Sequence, residues 1–125
     1  MLSPDLKILV VDDSKTMRMI VKKMLRQNGL KNIHEAKNGK EGLEKLRNEK
    51  GFDLVLSDWS MPLLNGLDFL KAVRADEKIN TIVFIMLSAE SLVENIKTAV
   101  KNGANGYITK PFTKEKIKKE LEICF

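Results

Sequence analysis

A chain of 125 residues, 43% hydrophobic and 31% charged, is sized for one packed domain and is not disordered. Its longest apolar run, Ile82 to Leu87, is far short of the ~20 residues needed to cross a bilayer. Cys124, the only cysteine, excludes an intrachain disulfide, and the opening Met-Leu-Ser-Pro-Asp carries no signal-peptide pattern, so a cytoplasmic protein without membrane insertion is expected. The net charge of +5 comes from 22 Lys and Arg mixed with 17 acids and not interleaved with aromatics, so nucleic acid is not an expected partner. A basic surface biased towards acidic proteins is.

Lys7-Ile8-Leu9-Val10-Val11 is a β-branched run typical of a strand covered on both faces, and it stops at Asp12-Asp13-Ser14. Asp13 or Ser14 then caps a helix whose inner face is Met17, Ile20, Val21, Met24 and Leu25. Asn28-Gly29 closes it, and a short strand is expected over Ile33 to Ala36. Asn38 and Glu41 form a capping pair for a helix through Leu43 and Leu46. Leu54 to Ser57 is the third strand, and Asn65 caps a helix carrying Leu67, Leu70 and Val73. Ile82 to Leu87 is the fourth strand, ending at Ser88. Ser91 and Glu94 read as a capping box for a helix with Leu92, Val93, Ile96, Ala99 and Val100 inside. Gly106 to Thr109 is the fifth strand, Lys110-Pro111 breaks it, and Thr113 caps a last helix with Ile117, Leu121 and Cys124 inward.

Strict alternation of five strands with five helices predicts a single α/β domain over residues 1–125, its parallel sheet wrapped on both faces. In such sheets ligands sit beyond the carboxyl ends of the strands. Asp12 and Asp13 follow the first strand, Asp58 the third, Ser88 ends the fourth and Lys110 lies just past the fifth. Like charges ~4 Å apart repel by about 4 kcal/mol at an effective dielectric near 20, so three carboxylates call for a cation. Oxygen-only ligands without His or Cys suit Mg²⁺, which points to phosphoryl chemistry with Asp58 as acceptor. Lys110 can pair with an anion on Asp58 and Ser88 can hydrogen-bond its oxygen. Singly, each residue has an ordinary reading as turn, cap or solvated loop side chain. The combination at successive strand ends does not.

The segments VVDDSKTMR, SDWSMPLLNGLDFLKAVR, LSAE and NGYITKPF give the chain a resemblance to the receiver domains of two-component response regulators over nearly its whole length. Within that family it most resembles the single-domain chemotaxis regulators. The resemblance implies a flavodoxin-like (βα)5 fold with strand order 2-1-3-4-5 and no output domain. It implies that Asp58 accepts a phosphoryl group from a chemotaxis histidine kinase, with no separate enzymatic substrate. Asp12, Asp13, Asp58 and the Ser60 carbonyl would hold Mg²⁺, and Lys110, with the Trp59 and Ala89 backbone, would hold the phosphoryl group. Ser88 and Tyr107 would be the switch, Tyr107 swinging inward on activation, and Lys110-Pro111 would be cis. The implied partner is a flagellar motor switch protein, with a phosphatase as a further candidate, and the chain would act as a monomer. The alternative is a stand-alone phosphate sink or relay carrier without motor output.

Three features depart from or refine the pattern. Ser88 stands where threonine is frequent, Asn65 replaces a common aspartate, and Ser60 and Glu90 occupy positions that tune phosphoryl lifetime. Lys97, Lys101, Lys114, Lys116, Lys118 and Lys119 on the implied output face predict an acidic, amphipathic target. A flavin or dinucleotide module would need a glycine-rich cradle where this chain has the acidic DDSKT. A metal-dependent phosphatase would need a second catalytic acid, and the sequence offers none.

Overall fold

Each strand alternates with a helix, and the alternation dictates the architecture. A computed structural model describes residues 2–125; Met1, the first residue of the expected domain, lies outside the described residues. The order is β1 (Ile8–Val11), α1 (Lys15–Gln27), β2 (Ile33–Ala36), α2 (Gly39–Asn48), β3 (Leu54–Ser57), α3 (Gly66–Ala75), β4 (Val83–Ser88), α4 (Val93–Lys101), β5 (Gly106–Thr109) and α5 (Lys114–Cys124). All pairings are parallel, and the sheet order is β2-β1-β3-β4-β5.

The apolar strands reflect cover on both faces. Ile8, Val10, Leu54, Leu56, Ile85 and Leu87 pack with Val21 and Leu25 of α1 and Ile117 and Leu121 of α5. Their alternates Leu9, Val11, Val55, Phe84 and Met86 pack with Leu46 of α2, Phe69, Leu70 and Val73 of α3, and Ala99 of α4. Each fully buried large side chain contributes about 1.5–3 kcal/mol. Phe69, whose ring meets Phe84 edge-on at 5.4 Å, is the largest contributor that the helical spacing left unnamed.

Four of the five expected helix caps form, by Ser14, Asn38, Asn65 and Thr113, each accepting from the backbone N–H three residues on. Helix α4 is the exception. Leu92 occupies its N-cap with no side-chain hydrogen bond, so the Ser91–Glu94 box is not made. Leu92, Val93 and Val100, expected inside, are exposed, because this short helix turns only Ala99 fully onto the sheet. In α1, Ile20 is likewise exposed, and Arg18 takes a buried place on the inner face.

At the amino-terminal end of the strands, Arg74 clamps three segments. Its guanidinium donates to the carbonyls of Asn80 (2.9 Å), Ile82 (2.7 Å) and Gly103 (2.8 Å), and to Asn105 Oδ1 (2.8 Å). Burial lowers its pKa.

Candidate functional site

The chain order reverses direction in the sheet at β1, so β1 and β3 lie side by side and the crossovers leave on opposite faces. At their carboxyl ends Asp12 follows Val11 and Asp58 follows Ser57, and the Asp58 N–H donates to the Val11 carbonyl at 2.9 Å. Backbone pairing therefore brings two acids from distant sequence positions onto one rim. Asp13 joins them: one carboxylate oxygen from each of Asp12, Asp13 and Asp58 lies within 4.8 Å of the others.

Lys110, immediately after β5, reaches the cluster from the far side. Its Nζ is 3.4 Å from Asp12 Oδ2 and 3.5 Å from Asp58 Oδ1. The bond to Pro111 that follows is cis, as expected. Asp58 is pushed above the usual carboxylate range chiefly by burial, with Asp12 adding to the rise and Lys110 opposing it. One ammonium facing three acids leaves the pocket negative. An all-oxygen donor set of this size fits a hard divalent cation such as Mg²⁺.

Ser88 is buried at the end of β4. Its Oγ accepts from the Glu90 N–H at 3.0 Å and lies within hydrogen-bonding reach of the Tyr107 hydroxyl. The Tyr107 hydroxyl donates to the Glu90 carbonyl at 2.6 Å, and the ring lies 6.4 Å from that of Trp59. Tyr107 is partly buried, packed against the core cluster that includes Val55, Phe84 and Met86. Burial raises the Tyr107 pKa, partly offset by Ser88. The Trp59 N–H is engaged with Asp58 Oδ1 at 2.8 Å. Ser60 and Ala89 both lie exposed, in the loops that leave β3 and β4.

The loop carrying Trp59 and Ser60 is held tightly. The Gly66 N–H donates to the Trp59 carbonyl at 2.7 Å, and a Cβ on Gly66 would overlap the Asp58 carbonyl oxygen and lie 2.8 Å from Trp59 Cα. Within the loop, Leu64 N–H closes a three-residue turn on the Pro62 carbonyl at 2.7 Å, with Leu63 between them at φ +68° and 79% exposed. Three residues near the site escaped the sequence reading. Arg18 donates to the Asp12 carbonyl at 2.7 Å and to Glu35 Oε1 at 2.9 Å, while Lys22 reaches Glu35 Oε2 at 2.8 Å. The signal was present, since Arg18, Val21 and Leu25 share one helical stripe.

The fold and site define a doubly wound α/β domain with an acidic, cation-ready pocket at its switch point. Residues 8–122 match the response regulator receiver domain, and the chain belongs to that family. It is 46% identical over 125 residues to the chemotaxis protein CheY-3 of Vibrio cholerae, covering 99% of this chain and 95% of that protein. It is 44% identical over 118 residues to CheY1 of Helicobacter pylori, covering 94% and 95% respectively. Among solved structures, chemotaxis protein CheY4 of Vibrio cholerae superposes with a TM-score of 0.86 at 33% identity, covering 96% of this chain and 98% of that one.

Proposed function

We propose that residues 1–125 act as one phosphorylation-switched receiver unit whose Asp58 accepts a phosphoryl group from a chemotaxis histidine kinase. The convergence of Asp12, Asp13 and Asp58 with Lys110 at the strand ends carries this reading. An Asp58 carboxylate oxygen attacks the phosphorus of a phosphohistidine. A P–O bond forms as the P–N bond breaks, and the departing imidazole nitrogen keeps the electron pair and takes a proton from solvent. Lys110 lies where it can shift from the carboxylates to the incoming phosphoryl oxygens, and Ser88 has its hydroxyl proton to offer them. The Trp59 and Ala89 backbone N–H groups complete the set of donors. Asp12, Asp13, Asp58 and the Ser60 carbonyl would hold Mg²⁺, which when bound offsets the repulsion between acidic pocket and phosphoryl group. No separate substrate is turned over.

Phosphorylation adds about −1.5 to −2 charges at the rim. Ser88 and Tyr107 both bond the backbone of Glu90, so a pull on Ser88 is transmitted to the loop before α4 and to the β5 tyrosine. The face formed by α4, β5 and α5 carries six exposed lysines, from Lys97 to Lys119, beside exposed Leu92, Val93 and Val100. That mixture suits an acidic, amphipathic segment. With chemotaxis proteins as relatives, it supports a flagellar motor switch protein as target, and a phosphatase as a second partner of the cytoplasmic, monomeric protein.

Incubation with acetyl phosphate or beryllofluoride, with and without Mg²⁺, tests the chemistry. Modification at Asp58 that requires Mg²⁺ and disappears in Asp58→Asn is expected; modification elsewhere, or indifferent to Mg²⁺, would falsify the assignment. Affinity for a flagellar switch peptide should rise on phosphorylation and fall with salt and with charge reversal at Lys116 and Lys119. No gain would favour the phosphate-sink alternative.

A further inference from the structure

Only four polar or charged residues are buried among those described: Asp12, Ser57, Ser88 and Arg18. The first three end strands at the rim of the site. Arg18 comes from α1, and at 9% exposure it is the buried cation of the set. A buried guanidinium must be held by acceptors, and each acceptor here has a bearing on the pocket.

One acceptor is the carbonyl of Asp12, at 2.7 Å. That carbonyl belongs to the peptide group joining Asp12 to Asp13, so the hydrogen bond fixes the plane from which Asp13 departs. Asp12 is restrained several times over: its N–H bonds the Ala36 carbonyl (3.2 Å), its Oδ1 accepts from Ser14 N–H (2.9 Å), and its Oδ2 faces Lys110 (3.4 Å). Asp13 is exposed and does not share the Lys110 contacts, yet its carboxylate converges with the other two. Its direction depends on the peptide that Arg18 holds. The other acceptor is Glu35 on β2, whose pKa is lowered first by its Lys22 hydrogen bond and next by that from Arg18. Glu35 thus keeps the guanidinium fork pointed at the Asp12–Asp13 peptide, and Lys22 keeps Glu35 charged.

We propose that Arg18, steadied by Glu35, is a positioning residue that aims Asp13 into the cation pocket. This rests on the Mg²⁺ reading of the site. Loss of an outer partner of this kind typically weakens metal affinity by about 10- to 100-fold. Trp59, the only tryptophan, adjoins Asp58 and supplies the probe.

The test is a fluorescence titration with MgCl₂ of the full chain, its Arg18→Met and Arg18→Lys variants and Glu35→Gln, below the unfolding transition of each. Arg18→Met should bind Mg²⁺ about 10- to 100-fold more weakly. Arg18→Lys, which keeps the charge but not the fork, should recover part of the loss, and Glu35→Gln should shift affinity the same way by less. A lowered melting temperature in EDTA with Mg²⁺ affinity within twofold of the unmodified chain would make Arg18 a structural residue and overturn the proposal. Should Arg18→Met fail to fold, unchanged affinity in both Arg18→Lys and Glu35→Gln overturns it equally. Absence of Mg²⁺ binding by the unmodified chain would instead sink the metal reading itself, and this inference with it.

Discussion

At the scale of single residues, charge is placed against its own preference. Asp58 is half-buried beside Asp12, and burial and like charge both resist its ionisation. Glu35 shows the opposite behaviour, because its two cationic partners hold its pKa below the ordinary value of 4.5. A carboxyl depressed on folding stabilises the native state above its unfolded pKa, and the gain fades as pH falls through the lowered value. The melting temperature of Glu35→Gln should therefore lie below that of the unmodified chain near pH 6–7, with the gap closing as pH drops below 4.5. A gap that stays constant to pH 3 would mean the ion pairs are not its source. The acids, Ser88 and Lys110 were legible in the sequence because parallel strands all present their carboxyl ends to one rim. Arg18 was not, because an arginine on an amphipathic helix reads as part of the wet face. Only its phase with Val21 and Leu25 says otherwise.

At the scale of elements, the loop from β3 to α3 is fixed by what it lacks. Gly66 lets the backbone close on Asp58 and Trp59 where any Cβ would collide with main chain that cannot yield. Gly66→Ala is expected to cost about 1–3 kcal/mol in denaturant unfolding and to slow acetyl-phosphate labelling of Asp58. Preserved stability would show that the loop relaxes. Strand positions and four of the helix caps were readable from local chemistry, while the need for Gly66 shows only once the loop is closed. Helix α4 was not. Periodicity tells which side of a helix is apolar, but not whether the protein's own sheet covers that side. Leu92, Val93 and Val100 are the outcome: an apolar stripe left for solvent or a partner.

Across the whole molecule, the two ends of the sheet serve different purposes. The carboxyl end gathers charges that repel, while the amino end is locked by Arg74, whose guanidinium spans α3, the approach to β4 and the turn before β5. Hydrogen bonds from a charged donor contribute about 1.5–3 kcal/mol each, so Arg74→Met should lower stability by roughly 3 kcal/mol. Asp58 should still be labelled by acetyl phosphate at temperatures where the variant is folded. Loss of labelling in the folded variant would reveal coupling between the ends. Alternation of strand and helix requires parallel crossovers but permits several strand orders. The order 2-1-3-4-5 therefore came from the family resemblance, and the pairing of β1 with both β2 and β3 agrees with it.

Leu63 has a consequence for how much further the protein can be improved. A leucine held at φ +68° at the centre of a three-residue turn costs about 1–3 kcal/mol that glycine avoids, and its exposed side chain recovers little by packing. Leu63→Gly should raise the melting temperature by about a degree or two in calorimetry, the relief being partly offset by glycine's greater freedom in the unfolded chain, while leaving acetyl-phosphate labelling unchanged; an unaltered or lower temperature would locate the cost elsewhere. Five positions beyond Asp58, the proposed phosphoacceptor, where substitutions ordinarily trade stability against activity, this chain thus keeps a reserve of stability that can be drawn on without altering any side chain of the pocket.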